Sequence, residues 1–528
     1  MGKKRGSHSY AGGALILAAS NVVCRFLGFV FKVPLANLIG AEGMGYYGFA
    51  LQIFGMASAV VVSGLPLALS TMTAAAKPAE RPSMLRTALR LFWVAGGAGT
   101  LILLLGSGPI SRLAGSPASQ KAVLVLAPAV LLSALESAYR GYFEGTASMR
   151  PPAIAQLSDA VTKLMLGTAA AWYLYRAGCP AEIVAAGAVF GITAGTAVSA
   201  GILAASARSV RKQNVMHTAV PVIRKRLLRM ACPLTLGALF LSLVSTADAM
   251  VIMNRLQSTG LSQSESASAY GAYTGIALTI YGLPNAVTSA ICASVIPAIA
   301  SAGDLKTKNA CQRANRTLRT AFRLASVLVI FSAALFAIMP DALLSMLFSR
   351  RGDVSTAVPL LRLLAPAAVM SAVCSLSAAA LHAMGAMTIP VIALAAGGTA
   401  KVVLNGVLIG NPVIRILGAP LGTVACFTIA AVINLTAICR RIHFHLSLPD
   451  CLVKPAVCAV PVVFLTRQLT AFFQKPLGIR LGTALPLALS GVLYLALLFV
   501  MGVLKSEDWA LIRPGVRSKS KETCKRSE

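Results

Sequence analysis

The chain has 528 residues, of which 57% are hydrophobic and 12% charged, with a mean hydropathy of +0.77. That composition excludes an ordinary soluble globular domain and fits an all-α polytopic membrane protein. The net charge of +31 reflects 47 Lys and Arg against 16 Asp and Glu. The bases cluster in short connections between apolar runs, as expected of loops that lie beside an anionic inner leaflet, and not of a nucleic-acid surface.

The first apolar run, Tyr10 to Gly40, is long enough to cross a bilayer, since about 20 apolar residues suffice. Its basic start resembles a signal peptide, but no small-residue cleavage site precedes a polar region, so it reads as a retained span. It carries Arg25 and Lys32, which about 100° of rotation per residue returns to nearly the same helix face. Asn21 joins that face. Cations at membrane depth usually face a bundle interior or watery cavity where they meet an anion. Arg25 and Lys32 are therefore candidate substrate-binding cations, and Asn21 a candidate gating residue.

The second span reads YYGFALQIFGMASAVVVSGLPLALST (46–71) and the eighth AYGAYTGIALTIYGLPNAVTSA (269–290). Each has Tyr-Gly near its start and a later Gly-Leu-Pro. The match points to two halves in the same orientation, and Pro66 and Pro284 are candidate kinks. Apolar segments of spanning length total about fourteen. The expected organisation is an N-terminal lobe over 1–207, a basic cytoplasmic loop over 208–229 and a C-terminal lobe over 230–440. Two additional helices over 441–503 and a basic cytoplasmic tail over 504–528 complete it. The distribution of Lys and Arg places both termini in the cytoplasm.

Charged residues inside the other spans need partners. Glu136 with Arg140, and Asp159 with Lys163, are acid-then-base at i, i+4, the spacing of a structural ion pair on one helix face. Asp248 has no base within four positions, so it needs a partner from another helix, a bound cation or a proton. That isolation suggests a coupling or gating role, with Arg25 as a partner in one state. Lys401, with Asn405 one turn on, is a third candidate cavity cation. Glu42, Tyr46 and Tyr47 read as an interfacial turn. Eleven scattered cysteines show no ligand spacing or disulfide framework. His443 and His445 lack a third ligand, so no metal is assigned. No cofactor motif or catalytic constellation is present, and the chain does not read as an enzyme.

The stretch RFLGFVFKVPLANLIGAEGMGYYGFALQIFGMASAVVVSGLPLALS (25–70) resembles the MOP flippase superfamily. Within it the resemblance is to the stage V sporulation protein B and polysaccharide-biosynthesis transporter group, close to the MurJ lipid II flippases. The Arg-x-Leu-Gly-Phe core and IGAEGMGYYG carry it. The resemblance implies a MATE-like fold of two lobes about a central cavity and alternating-access export of polyprenyl-diphosphate-linked oligosaccharides for cell-wall peptidoglycan or another polysaccharide. It also implies a substrate role for Arg25. Where the MurJ pattern has a second arginine, this chain has Phe31 with Lys32 beside it. The alternative within the superfamily is a cation-coupled multidrug antiporter, which calls for acids in the cavity, whereas the first span carries two bases and no acid. Without a nucleotide-binding motif, energy is expected from an H+ or Na+ gradient, the membrane potential or downhill substrate.

Overall fold

A computed structural model of the chain describes residues 3–208, 220–301, 307–348, 351–442, 444 and 449–503. They are helical almost throughout, with no strand among them. The N-terminal elements are α1 (Lys3–Val62), α2 (Gly64–Ala75), α3 (Arg81–Leu113), α4 (Gln120–Gly145), α5 (Arg150–Arg176) and α6 (Ala181–Ser206). Then come α7 (Val220–Ser258), α8 (Gln263–Gly271), a π turn (Ala272–Ala277), α9 (Leu278–Ala300), α10 (Lys308–Ile338) and α11 (Pro340–Leu347). The last are α12 (Arg351–Ala383), α13 (Thr388–Leu408), α14 (Gly418–Ile442) and α15 (Lys454–Val500).

Helix is what hydrocarbon demands, because each backbone N–H and C=O must find its partner within its own segment. Eleven helical stretches among the described residues are long and apolar enough to cross a membrane. Two of them are broken by a glycine in the left-handed region, Gly40 (φ 70°) in α1 and Gly478 (φ 73°) in α15. Side chains rarely adopt that conformation, so each glycine divides its helix into two arms. α5 adds a helix of 27 residues, about 40 Å at 1.5 Å per residue, whose Asp159 and Lys163 lower its hydropathy. Counted this way, the crossings approach the fourteen expected. The surface is apolar as lipid contact requires, with Leu105, Val407 and Phe499 among the exposed side chains.

Several local expectations change. The segment 220–229, expected as loop, is the first part of α7; residues 209–219, 504–528, His443 and His445 lie outside the described residues. The two Gly-Leu-Pro motifs do different things. Pro66 sits in the first turn of α2, just after the break at Ser63, where a missing N–H breaks no helical bond. Pro284 lies inside α9, which continues past it, and the irregularity comes earlier as the π turn.

By contacts the chain divides into two compact units. The first comprises Met1–Thr279, Phe348–Ala357 and Gly398–Gly422; the second comprises Ile280–Leu347, Val358–Gly397 and Thr423–Glu528. The grouping cuts across the sequence-order lobes, since α7 and part of α13 pack with the N-terminal helices.

In the first unit, Leu69, Leu85, Phe92, Tyr142, Leu203 and Leu227 build a core joining α2, α3, α4, α6 and α7. Elsewhere small residues let backbones approach, the usual device where lipid offers no hydrophobic drive for helix association. Gly167 of α5 meets Gly191 of α6 in this way. A second seam joins α1 to α8, where Gly45 lies against the Ala267 carbonyl and Gly271 against the Ala41 carbonyl. Gly48 faces the Tyr270 ring, so the Tyr-Gly pairs of the two repeats meet. In the second unit, Phe322 stacks on Phe444 and Phe331 on Tyr494, and the Tyr494 hydroxyl donates to the Val327 carbonyl at 2.8 Å.

Candidate functional site

The first unit holds two polar groupings inside its helices. One lies where α1 packs along α5. Asn21 Oδ1 accepts a hydrogen bond from Gln156 Nε2 at 2.7 Å, and the Cys24 thiol donates to the Gln156 carbonyl at 3.5 Å. Arg25 lies within α1 between these contacts and Lys32; its side chain lies outside what the structure describes. Lys32 is half-buried and faces a second base, Lys163 of α5, within electrostatic reach. Two ammonium groups of like sign at membrane depth repel each other, and an anion between them would relieve the repulsion.

Position 31 explains its own residue. Phe31 is 2% exposed, its ring sits against Gly167, and its centroid lies 6.3 Å from that of Tyr47. An arginine there would bury its charge in an apolar packing site. Lys32, one residue on, carries the charge to the polar face.

The acids of α4 and α5 do not take the partners their spacing suggested. Arg140 Nε lies 3.9 Å from Glu144 Oε1, one turn further along α4. No ion pair within 4 Å joins Glu136 to Arg140 or Asp159 to Lys163. Spacing puts these groups on one face, but α6 turns them apart. Gly195 leaves room for Asp159, and a Cβ there would stand 2.5 Å from Asp159 Oδ1. Glu136 is directed to Ser199 on the same α6 face.

The second grouping is built by α7 and α13. Lys401 Nζ lies 2.8 Å from Asp248 Oδ2, and Asn405 Nδ2 donates to Asp248 Oδ1 at 2.6 Å. Asn405 is wholly buried, and Gly422 of α14 packs against its Oδ1. Asp248 and Lys401, expected from the sequence to have different roles, thus share one ion pair. The base Asp248 needed comes from 153 positions on, beyond any local pattern, and its carboxylate is already held by both oxygens. Glu144, Gln156 and Ser199 were missed from sequence; only Glu144 had a signal, since it stands four residues after Arg140 as Glu136 stands four before.

A cavity of about 360 Å³ lies where the Gly40 turn of α1 meets the C-terminal end of α5, the start of α8 and Asp353. Glu42, Glu265 and Asp353 line it, but each is engaged: by the Tyr46 hydroxyl at 2.9 Å, in the Ser262 capping box and by the Ala41 N–H at 2.9 Å. Three acids make it a poor anion site. No disulfide forms among the ten described cysteines.

Comparisons with known proteins agree with this architecture. Stage V sporulation protein B of Bacillus subtilis (strain 168) is 24% identical over 508 residues, covering 94% of this chain and 96% of that protein. Among solved structures, a lipid II flippase MurJ in an inward closed conformation aligns with a TM-score of 0.71 at 14% identity, over 92% of this chain and 98% of that one. A multidrug resistance MATE family transporter of the MOP superfamily, in an inward-facing conformation, aligns at 0.62 and 16% identity, over 80% and 98%. The fold is therefore that of the MurJ and MATE transporters, a multi-pass membrane architecture. The family model for polysaccharide biosynthesis proteins matches residues 11–302, more than half of the sequence, and the chain belongs to that family.

Proposed function

We propose that this chain is a flippase that carries a polyprenyl-diphosphate-linked oligosaccharide across the cytoplasmic membrane by alternating access, with both termini in the cytoplasm. The observation that carries the reading is the basic face of α1 and α5. Lys32 and Lys163 stand within electrostatic reach of one another at membrane depth, with Glu136 and Asp159 acting on Lys163 alone of the two, and Arg25 lies on the same helix as Lys32. A diphosphate supplies the missing anion, with charge-assisted hydrogen bonds from both base types. Its saccharide passes through the polar interior while the polyprenyl tail stays in lipid.

Asp248 and Lys401 take the gating role in this scheme. Their pair is satisfied internally, so opening it requires a competing anion for Lys401 or a proton or cation for Asp248. Substrate diphosphate is one such competitor. Binding of a polyprenyl-diphosphate saccharide and of a lipophilic cationic dye to purified wild type and Arg25→Ala tests the proposal. Saccharide-lipid binding that weakens about tenfold in the variant supports it. Dye binding alone, indifferent to Arg25, overturns it in favour of a multidrug antiporter.

A further inference from the structure

Glu136 and Asp159 are two acids inside α4 and α5 that diphosphate binding does not use. Each was expected to pair with a base one turn along its own helix; Arg140 and Lys163 stand within electrostatic reach, but neither closes to an ion pair within 4 Å. Asp159 Oδ1 is buried, pressed against the Gly195 backbone, and has no hydrogen-bond partner. Ser199, one turn beyond Gly195 on α6, is 0% exposed, and its Oγ also has no partner of good geometry although it sits beside Glu136. Glu136 and Asp159 in turn lie within electrostatic reach of one another. Two carboxyl groups from α4 and α5 and one buried hydroxyl from α6 therefore converge, with Asp159 Oδ1 and Ser199 Oγ short of a well-placed partner.

A buried carboxylate oxygen without a donor is costly, and more so at membrane depth. Adding one proton removes the charge repulsion between the acids and supplies the donor that the cluster lacks. Two close carboxyl groups sharing one proton is the stable form of such a pair. A metal ion asks for more, since hard cations take about six or more oxygen ligands, and three side chains are what this cluster offers.

Other charges face the cluster without closing on it. From α1, the Cys24 thiol interacts with Asp159 and Lys163, and Lys32 interacts with Lys163. From α4 there is Arg140, directed to Glu144, and from α5 Lys163 itself. The acid of α6, Glu182, pairs with Lys121. Among the described residues, α2 and α3 place no charge within reach of Glu136 or Asp159.

We propose that Glu136, Asp159 and Ser199 form a proton-binding site between α4, α5 and α6, and that this site is where the chain takes up and releases a coupling proton. The proton is held as the O–H of a carboxylic acid; on release it passes to water and leaves a carboxylate. The coupling role rests on the flippase reading, whereas proton binding does not.

The test is an infrared pH titration of the full chain in lipid bilayers, reading the carbonyl band of protonated carboxylic acid with no substrate present. Above about pH 6, where exposed carboxyl groups are ionised, wild type is expected to show a band equivalent to about one carboxyl that grows as pH falls, in the same way with or without Na+. Asp159→Asn should lose it, and Glu136→Gln should lose it or move its midpoint. Ser199→Ala, the mildest change, should shift the midpoint and serves if an acid variant does not fold. Exposed Asp341→Asn should leave the band as in wild type. No titrating band in wild type, a band unchanged in Asp159→Asn, Glu136→Gln and Ser199→Ala alike, or a band abolished by Na+ would overturn the proposal. Loss of saccharide-lipid binding in the separate experiment would sink the flippase reading and leave this result standing.

Discussion

The two polar groupings of the first unit solve the same physical problem in opposite ways. At Asp248 each carboxylate oxygen has a donor, one from Lys401 and one from Asn405, and the charges cancel on the spot. Along α1 and α5, Lys32 faces Lys163 and Asp159 keeps a bare buried oxygen. A closed pair holds structure and resists ligands; an open set of charges stores binding capacity at the expense of stability. The difference teaches where to look for substrate and proton, and where to look for the element that must be pried apart.

The largest effect separating the two regions should come from Lys401→Met. Removing one partner of a buried ion pair leaves an uncompensated charge, typically worth about 3–5 kcal/mol, and thermal unfolding in detergent should show that loss. The double variant Asp248→Asn with Lys401→Met should recover most of it. If the single variant is as stable as wild type, the pair is not closed in the sense argued here.

Next comes the glycine seam, which belongs to neither grouping. In Gly271→Ala the added methyl meets the Ala41 carbonyl, backbone that cannot swing aside, so a loss of about 1–3 kcal/mol in the same unfolding assay is expected. The open region should behave in reverse. Arg25→Ala and Lys32→Ala should each weaken saccharide-lipid binding about tenfold while leaving thermal stability within about 0.5 kcal/mol of wild type. Equal losses of binding and stability would erase the distinction between the regions. The smallest effect belongs to Glu144→Gln, because its 3.9 Å pair with Arg140 is partly exposed and such i, i+4 pairs contribute about 0.3–0.5 kcal/mol.

The membrane architecture was legible in the sequence because hydrocarbon leaves few options: runs of about 20 apolar residues become helices, whereas the turns at Gly40 and Gly478 came from the structure. The charged partners were legible only as possibilities. The i, i+4 rule says which groups can reach each other, but Asp159 turned toward the gap that Gly195 leaves on α6, a gap visible only once α5 and α6 are packed. The Asp248 partner was out of reach for a simpler reason, since Lys401 lies on a helix far along the chain. The motif IGAEGMGYYG shows a third kind of limit. It is what makes the sequence recognisable, and of its glycines Gly40 makes the break in α1 and Gly45 the close packing of α1 on α8.

The Gly478 turn bears on how the chain is made. The two arms of α15 join at Gly478 without an intervening loop, and Gln474 bonds Thr483 across the turn, so the arms are expected to enter the bilayer together as a hairpin. In the orientation proposed above, Lys475 and Arg480 beside its tip must be carried across the membrane during that step, against the preference of basic residues for the cytoplasmic side. Insertion of this last pair therefore draws on the apolar arms to pull two charges through, and lengthening the tip with further basic residues would be expected to strand the hairpin before it to stall folding of anything else.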